Sequence, residues 1–137
     1  MKHLIFCLSI LLCSIAAQGQ SSDDGIFKYE VKSITHCIIK DDEVFSGETT
    51  YPQDGRTIIV TEDDITVNIE KSNTKILFYI KNWGFNEQGV LEYYTKHSLS
   101  GDTVVVLVER GDNAIFTFSF INLKEKECYI YKTEYFE

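Results

Sequence analysis

The sequence predicts an all-β fold, a single antiparallel up-and-down barrel or strongly curled meander of about eight strands. Three observations carry that expectation. Apolar and polar residues alternate with a period of two in run after run, the mark of strands with one face buried. Clusters of Gly, Asn, Asp and Ser separate these runs, and such residues build turns. Pro52 is the only proline, and no apolar stretch at helical spacing is long enough for an amphipathic helix of four turns. A two-sheet β-sandwich is the alternative that the same pattern allows.

Residues 1–19 read as a cleaved secretory signal peptide. Lys2 and His3 precede an apolar run over residues 4–17, and Ala17-Gln18-Gly19 offers a small-x-small cleavage site. The run is too short to span a bilayer comfortably, so no membrane span is expected after cleavage. Residues 20–137 then form a single β domain, enough chain for one core and too little for two. Of 21 acidic and 13 basic residues only Lys2 leaves with the signal, so the exported chain keeps 21 against 12 and carries a net charge of −9. Scattered, outnumbered basic residues exclude a nucleic-acid partner and disfavour anionic membrane surfaces.

In the first strand, Phe27, Tyr29 and Val31 alternate with Lys28, Glu30 and Lys32, and the run continues through Ile34, Cys37, Ile38 and Ile39 to Asp41-Asp42. Its length predicts a bend. Residues 43–50 carry a weaker strand signal, and Pro52 with Asp54-Gly55 marks a turn. Residues 57–61 and the alternation of Ile65, Val67 and Ile69 with Thr66, Asn68 and Glu70 flank the acidic turn Glu62-Asp63-Asp64 as a hairpin. After Ser72-Asn73-Thr74, the strand at residues 75–81 sets Ile76, Phe78 and Ile80 against Leu77 and Tyr79, and Trp83-Gly84 ends it. Residues 85–89 loop into a strand at 90–96, where Leu91, Tyr93 and Thr95 oppose Val90, Glu92 and Tyr94.

A hairpin fills residues 102–120. Its first arm, Val104-Val105-Val106-Leu107-Val108, is apolar in both phases and predicts cover on both faces. Its second places Ala114, Phe116, Phe118 and Phe120 opposite Thr117 and Ser119. Residues 122–127 form a loop or one helical turn, and in the last strand Tyr129, Tyr131, Thr133 and Tyr135 alternate with Cys128, Ile130, Lys132 and Glu134. The strand from Phe27 and the seven from Thr57 onward give eight, a number that can close. Closure pairs the first strand with the last and brings Cys37 towards Cys128.

Cys7 and Cys13 leave with the signal, so Cys37 and Cys128 are the pair that the exported chain retains. An even pair in an oxidising compartment predicts a disulfide, and its loop of about 90 residues corresponds to about 4 to 5 kcal/mol in the chain-entropy treatment. Two separately buried thiols are the alternative.

No catalytic residue, metal site or cofactor site is expected. His36 and His97 lack partners at metal-ligand spacing, and His36 and Cys37 point to opposite faces of one strand. No nucleophile elbow or phosphate-binding glycine loop occurs. The acidic triplets at residues 41–43 and 62–64 lack the spacing of a calcium loop and read as solvated turns. Arg110-Gly111-Asp112 spells an adhesion tripeptide but also suits a hairpin turn, with Gly111 supplying positive φ. The remaining signal is aromatic: Tyr79, Trp83, Tyr93, Tyr94, Tyr129 and Tyr131 join apolar rings to polar handles and are the candidate binding residues.

Size, signal segment and an eight-strand meander resemble the small exported barrels of the lipocalin-like type, although their glycine-x-tryptophan signature near the first strand is missing. That resemblance implies a carrier of a small apolar ligand. The charge favours a non-catalytic binding module, inhibitor- or immunity-like, whose partner is a basic protein met outside the cytoplasm, in the secreted or periplasmic space. Intact-mass measurement of exported material is expected to show a chain beginning at Gln20, and a species retaining Met1 refutes the signal peptide.

Overall fold

The computed structural model describes residues 25–136; the expected signal segment, its two cysteines and the leader at residues 20–24 lie outside the described residues. Among the described residues every regular element is a strand: β1 (Phe27–Lys40), β2 (Glu43–Thr50), β3 (Arg56–Val60), β4 (Asp64–Ile69), β5 (Thr74–Phe85), β6 (Leu91–His97), β7 (Thr103–Arg110), β8 (Ile115–Asn122) and β9 (Glu127–Tyr135). From β3 to β9 each strand pairs antiparallel with the next, β1 pairs with both β3 and β9, and the sheet closes as an eight-stranded barrel. The sandwich alternative is thereby excluded. The weak signal at residues 43–50 proves to be a full strand, β2, which pairs with β1 and stands outside the ring of eight.

β1 is the long strand that makes this possible. On one edge residues 27–30 pair with β3 and residues 34–40 with β2, while the other edge pairs with β9 from Tyr29 to Ile38. An eight-stranded barrel has an interior just wide enough for side chains to fill. Here Ile58, Ile65, Val67, Val106 and Phe118 fill it, each almost wholly removed from solvent, with Phe78, Phe116, Phe120 and Tyr131 around them.

Inward phase is preserved around the barrel by bulges. Lys32 in β1 has no opposite number on β9, and Lys81 in β5 has none on β6. The extra residue lets both Val31 and Ile34 be buried although their spacing in a regular strand would set them on opposite faces. Lys32 itself points out and ion-pairs with Glu30 at 3.1 Å and Glu134 at 3.5 Å. The second bulge carries β5 through Trp83-Gly84 to Phe85, so these residues do not end the strand as the sequence suggested. On β7 only Val104 and Val106 are buried; Val105, Leu107 and Val108 are half-buried, and the expected cover on both faces is incomplete.

The tight turns follow hairpin geometry. Asp41 and Asp42, with φ of 53° and 64°, join β1 to β2, and Asn113 and Ala114, with φ of 53° and 65°, join β7 to β8. Two successive residues at positive φ are the type I′ turn that matches strand twist. In the second turn Ile115 N–H donates to Asp112 O at 3.0 Å, and Gly111 N–H donates to Ile115 O at 2.7 Å. The left-handed positions of the Arg110-Gly111-Asp112 segment therefore fall just beyond it, on Asn113 and Ala114, and not on Gly111 as expected. Residues 122–127 hold no helix; they are a β8–β9 turn with Lys126 at φ 56°.

Alanine is a poor occupant of the left-handed region, which costs an L-residue about 1 to 2 kcal/mol. Ala114→Gly, which restores the Asn-Gly pairing that this turn favours, is expected to stabilise the fold by about 0.5 kcal/mol in denaturant titration. Phe118→Ala opens a cavity in the filled interior and is expected to cost about 3 to 5 kcal/mol by the same measurement.

Candidate functional site

Beyond Ile34 the β1 edge that earlier carried β3 carries β2, so the β1–β2 hairpin projects past the start of β3 at one mouth of the barrel. Under the hairpin lies an open depression of about 300 Å³ lined by Ile34, His36, Glu48, Thr50, Arg56, Tyr129 and Tyr131. Ile38 and Phe45 are directly paired and in phase with His36, and they extend this surface as an apolar shelf. Both are more than half exposed, at 53% and 51%.

A third bulge shapes the hairpin. Cys37 pairs with Ser46 and Thr35 with Thr49, which leaves Gly47 and Glu48 facing His36 alone. A Cβ on Gly47 would lie 2.7 Å from the His36 carbonyl oxygen, a distance that real side chains do not tolerate, so glycine is required. The extra residue turns Glu48 into the depression.

Charged groups rim the apolar floor. His36 Nε2 lies 3.0 Å from Glu127 Oε1, and the His36 ring lies against Tyr129 with centroids 4.7 Å apart. Arg56 Nη2 donates to Asp54 Oδ2 at 2.8 Å, and that bond holds the Asp54 carboxyl below its ordinary 3.8. Arg56 Nε and Asp54 Oδ1 are buried without a hydrogen-bond partner among the described residues. Burial pushes the Tyr131 hydroxyl up, and the nearby Arg56 guanidinium opposes the shift. An apolar shelf with carboxylates and an arginine at its rim suits non-covalent contact with a ligand that is itself part apolar and part charged.

The six aromatic candidates do not form one surface. Tyr129 and Tyr131 line the depression. Trp83 and Tyr93 face the interior at the opposite mouth, their ring centroids 6.5 Å apart, with Phe85 at 6.4 Å from Trp83. Tyr79 and Tyr94 sit exposed on the outer wall, where Tyr94 donates its hydroxyl to Glu92, whose carboxylate pushes the phenol up. A second open depression, of about 340 Å³, also lies on the outer wall, between Lys96, Asp102, Val105, Ile121 and Lys124.

His36, which the sequence led us to set aside as a metal ligand, and Ile38, Phe45, Glu48 and Arg56 were not among the candidate binding residues. One signal was present for Arg56: it lies in phase with inward-facing Ile58 and Val60, and a charge in that phase at the start of a strand marks a barrel mouth.

Cys37 and Cys128 are opposed in register across β1 and β9, on the face turned away from the depression. Both are buried free thiols, so the expected bridge is not formed in this structure. Burial first, and then the adjacent Cys37, push the Cys128 thiol up to about 11.

Comparison with protein-family models, with curated proteins and with solved structures finds no match to this chain, so the site stands on its own geometry.

The Asp54–Arg56 pair generates a pH dependence. The folded carboxyl titrates below its unfolded value, so its stabilisation is present in full above the ordinary 3.8 and disappears as pH falls through the lower folded value. Unfolding of wild type and Asp54→Asn at a series of pH values is expected to show a stability gap that is constant near neutrality and closes on the acid side. A gap that persists unchanged at acid pH contradicts the pairing.

Proposed function

We propose that this chain is an exported, non-catalytic protein-recognition module, inhibitor- or immunity-like in kind, which binds a basic partner protein without a cofactor. The observation that carries the reading is the projecting β1–β2 hairpin: all of β2 is exposed, and the directly paired Ile38 and Phe45 are left more than half uncovered on one face. Apolar surface grouped in this way, with a charged rim, is characteristic of surfaces that meet another protein. The net charge of −9 on the exported chain supports a basic partner, because a field of one sign speeds encounter with the other. The filled interior weighs against carriage of an apolar ligand inside the barrel.

The exported domain, purified from its source at low salt, is expected to bring down one basic protein at one-to-one ratio and to release it as salt rises. A retained lipid or small molecule with no protein partner would replace this reading with the carrier. Substrate turnover that is lost on mutating His36 or His97 would replace it with an enzyme.

Export would also allow Cys37 and Cys128 to be oxidised by thiol–disulfide exchange with a disulfide donor of the outer compartment, which leaves as the dithiol. Their direct opposition across β1 and β9 supports the bridge. Material from the oxidising compartment is expected to take up thiol reagent only after denaturation and reduction, and Cys128→Ser is expected to cost about 2 to 5 kcal/mol. Alkylation of denatured, unreduced protein at both positions refutes it.

A further inference from the structure

We infer that the free edge of β2 receives an extended, basic segment of the partner as an added strand, one that presents a basic, an apolar and a basic side chain in turn to the concave face of the hairpin. This rests on the recognition reading and specifies its chemistry.

The edge is open in the backbone sense. β2 pairs with β1 alone. Ile39 N–H donates to Lys126 O at 2.9 Å on the β9 side, so by alternation the neighbouring β1 positions, Ile38 and Lys40, turn their N–H and C=O groups towards Phe45 and Glu43. Val44 and Ser46 consequently direct theirs away from β1, where no strand lies among the described residues. Edge strands are commonly guarded by lysine, proline or a bulge, since unpaired backbone groups recruit other strands. β2 contains neither lysine nor proline, and its bulge, at Gly47 and Glu48, leaves residues 43–46 regular.

The side chains define the occupant. On the concave face β2 presents Glu43, Phe45 and Glu48 in that order, with Ile38 beside Phe45. Residues 41–55 hold five carboxylates, Asp41, Asp42, Glu43, Glu48 and Asp54, and no lysine, arginine or histidine. An added strand meets this row with its own alternate residues. An apolar residue opposite Phe45 covers the shelf, and lysine or arginine on either side of it meets Glu43 and Glu48. A second copy of this chain is the wrong occupant, because it would bring the same acidic edge and the same charge of −9.

The test uses a synthetic eight-residue peptide whose every second residue reads lysine, leucine, lysine, with threonine at the positions between, added to the exported protein at low salt and followed by amide chemical shifts and fluorescence anisotropy. Binding is expected, with the largest shifts at residues 43–46 and around Ile38. N-methylation along one edge of the peptide is expected to weaken binding about tenfold or more by removing strand hydrogen bonds, and glutamate in place of lysine to abolish it. Ser46→Pro, which removes an outward N–H at an edge where proline is tolerated, is expected to weaken binding to a similar degree. Equal affinity for the N-methylated peptide, for which no protein variant is needed, overturns strand addition. So does concentration-dependent dimerisation that protects residues 43–46, which would give the edge to a second copy. Where the natural complex survives Ser46→Pro, the edge inference fails and the recognition reading stands; where wild type forms no complex, the recognition reading itself fails.

Discussion

The pairing of β1 with β9 is the contact on which the rest of the structure depends. It joins the first strand to the last from Tyr29–Tyr135 to Ile38–Glu127, and it converts a meander with two raw edges into a ring. A ring of eight strands encloses a space that Phe118, Ile58 and their neighbours occupy, nearly all removed from solvent. Without this seam β1 and β9 would each expose a backbone edge, and the inward row of Phe116, Phe118, Phe120 and Tyr131 would lose its cover.

β1 is longer than closure requires, and the surplus produces the site. β3 takes up only its first residues, so the remainder of that edge is free to fold back on itself through the Asp41-Asp42 turn. Alternation then sorts the functions of one strand: His36 and Ile38 face the depression, and Cys37 between them faces the seam with Cys128. The site's apolar shelf is accordingly built on a hydrogen-bonded sheet and not on a loop. Gly47 sets the shape of that sheet through the close approach of its backbone to His36.

Much of the fold was legible because period-two alternation is a direct projection of the pleat onto sequence. Phe116, Phe118 and Phe120, or Ile65 and Val67, need nothing beyond counting. The opposition of Cys37 and Cys128 followed from topology alone, since an even, closed meander pairs its ends. What counting could not see was a change of phase. The bulges at Lys32 and Lys81 each insert one residue whose sequence looks regular, and β5 therefore runs on past Trp83-Gly84. β2 was obscure for a different reason: none of its residues is buried, so burial imposes no pattern on it. The site remained hidden for the same two reasons, because it combines an unpatterned strand with residues re-aimed by a bulge, whereas the aromatic side chains that stood out by composition are mostly ordinary wall and core.

The seam also governs how the chain reaches this state. Cys37 and Cys128 are neighbours across it although about 90 residues separate them, so the decisive pairing is among the most non-local that the chain makes. Each successive hairpin from β3 to β8 can form as soon as its two arms exist, but none of them shields the face that β1 and β9 complete. A closure between the two ends of the chain has a high contact order, which slows folding relative to a helical chain of equal size. Until the seam closes, the β1 and β9 edges stay open to strands of other chains, which concentrates the hazard of aggregation in the interval before closure.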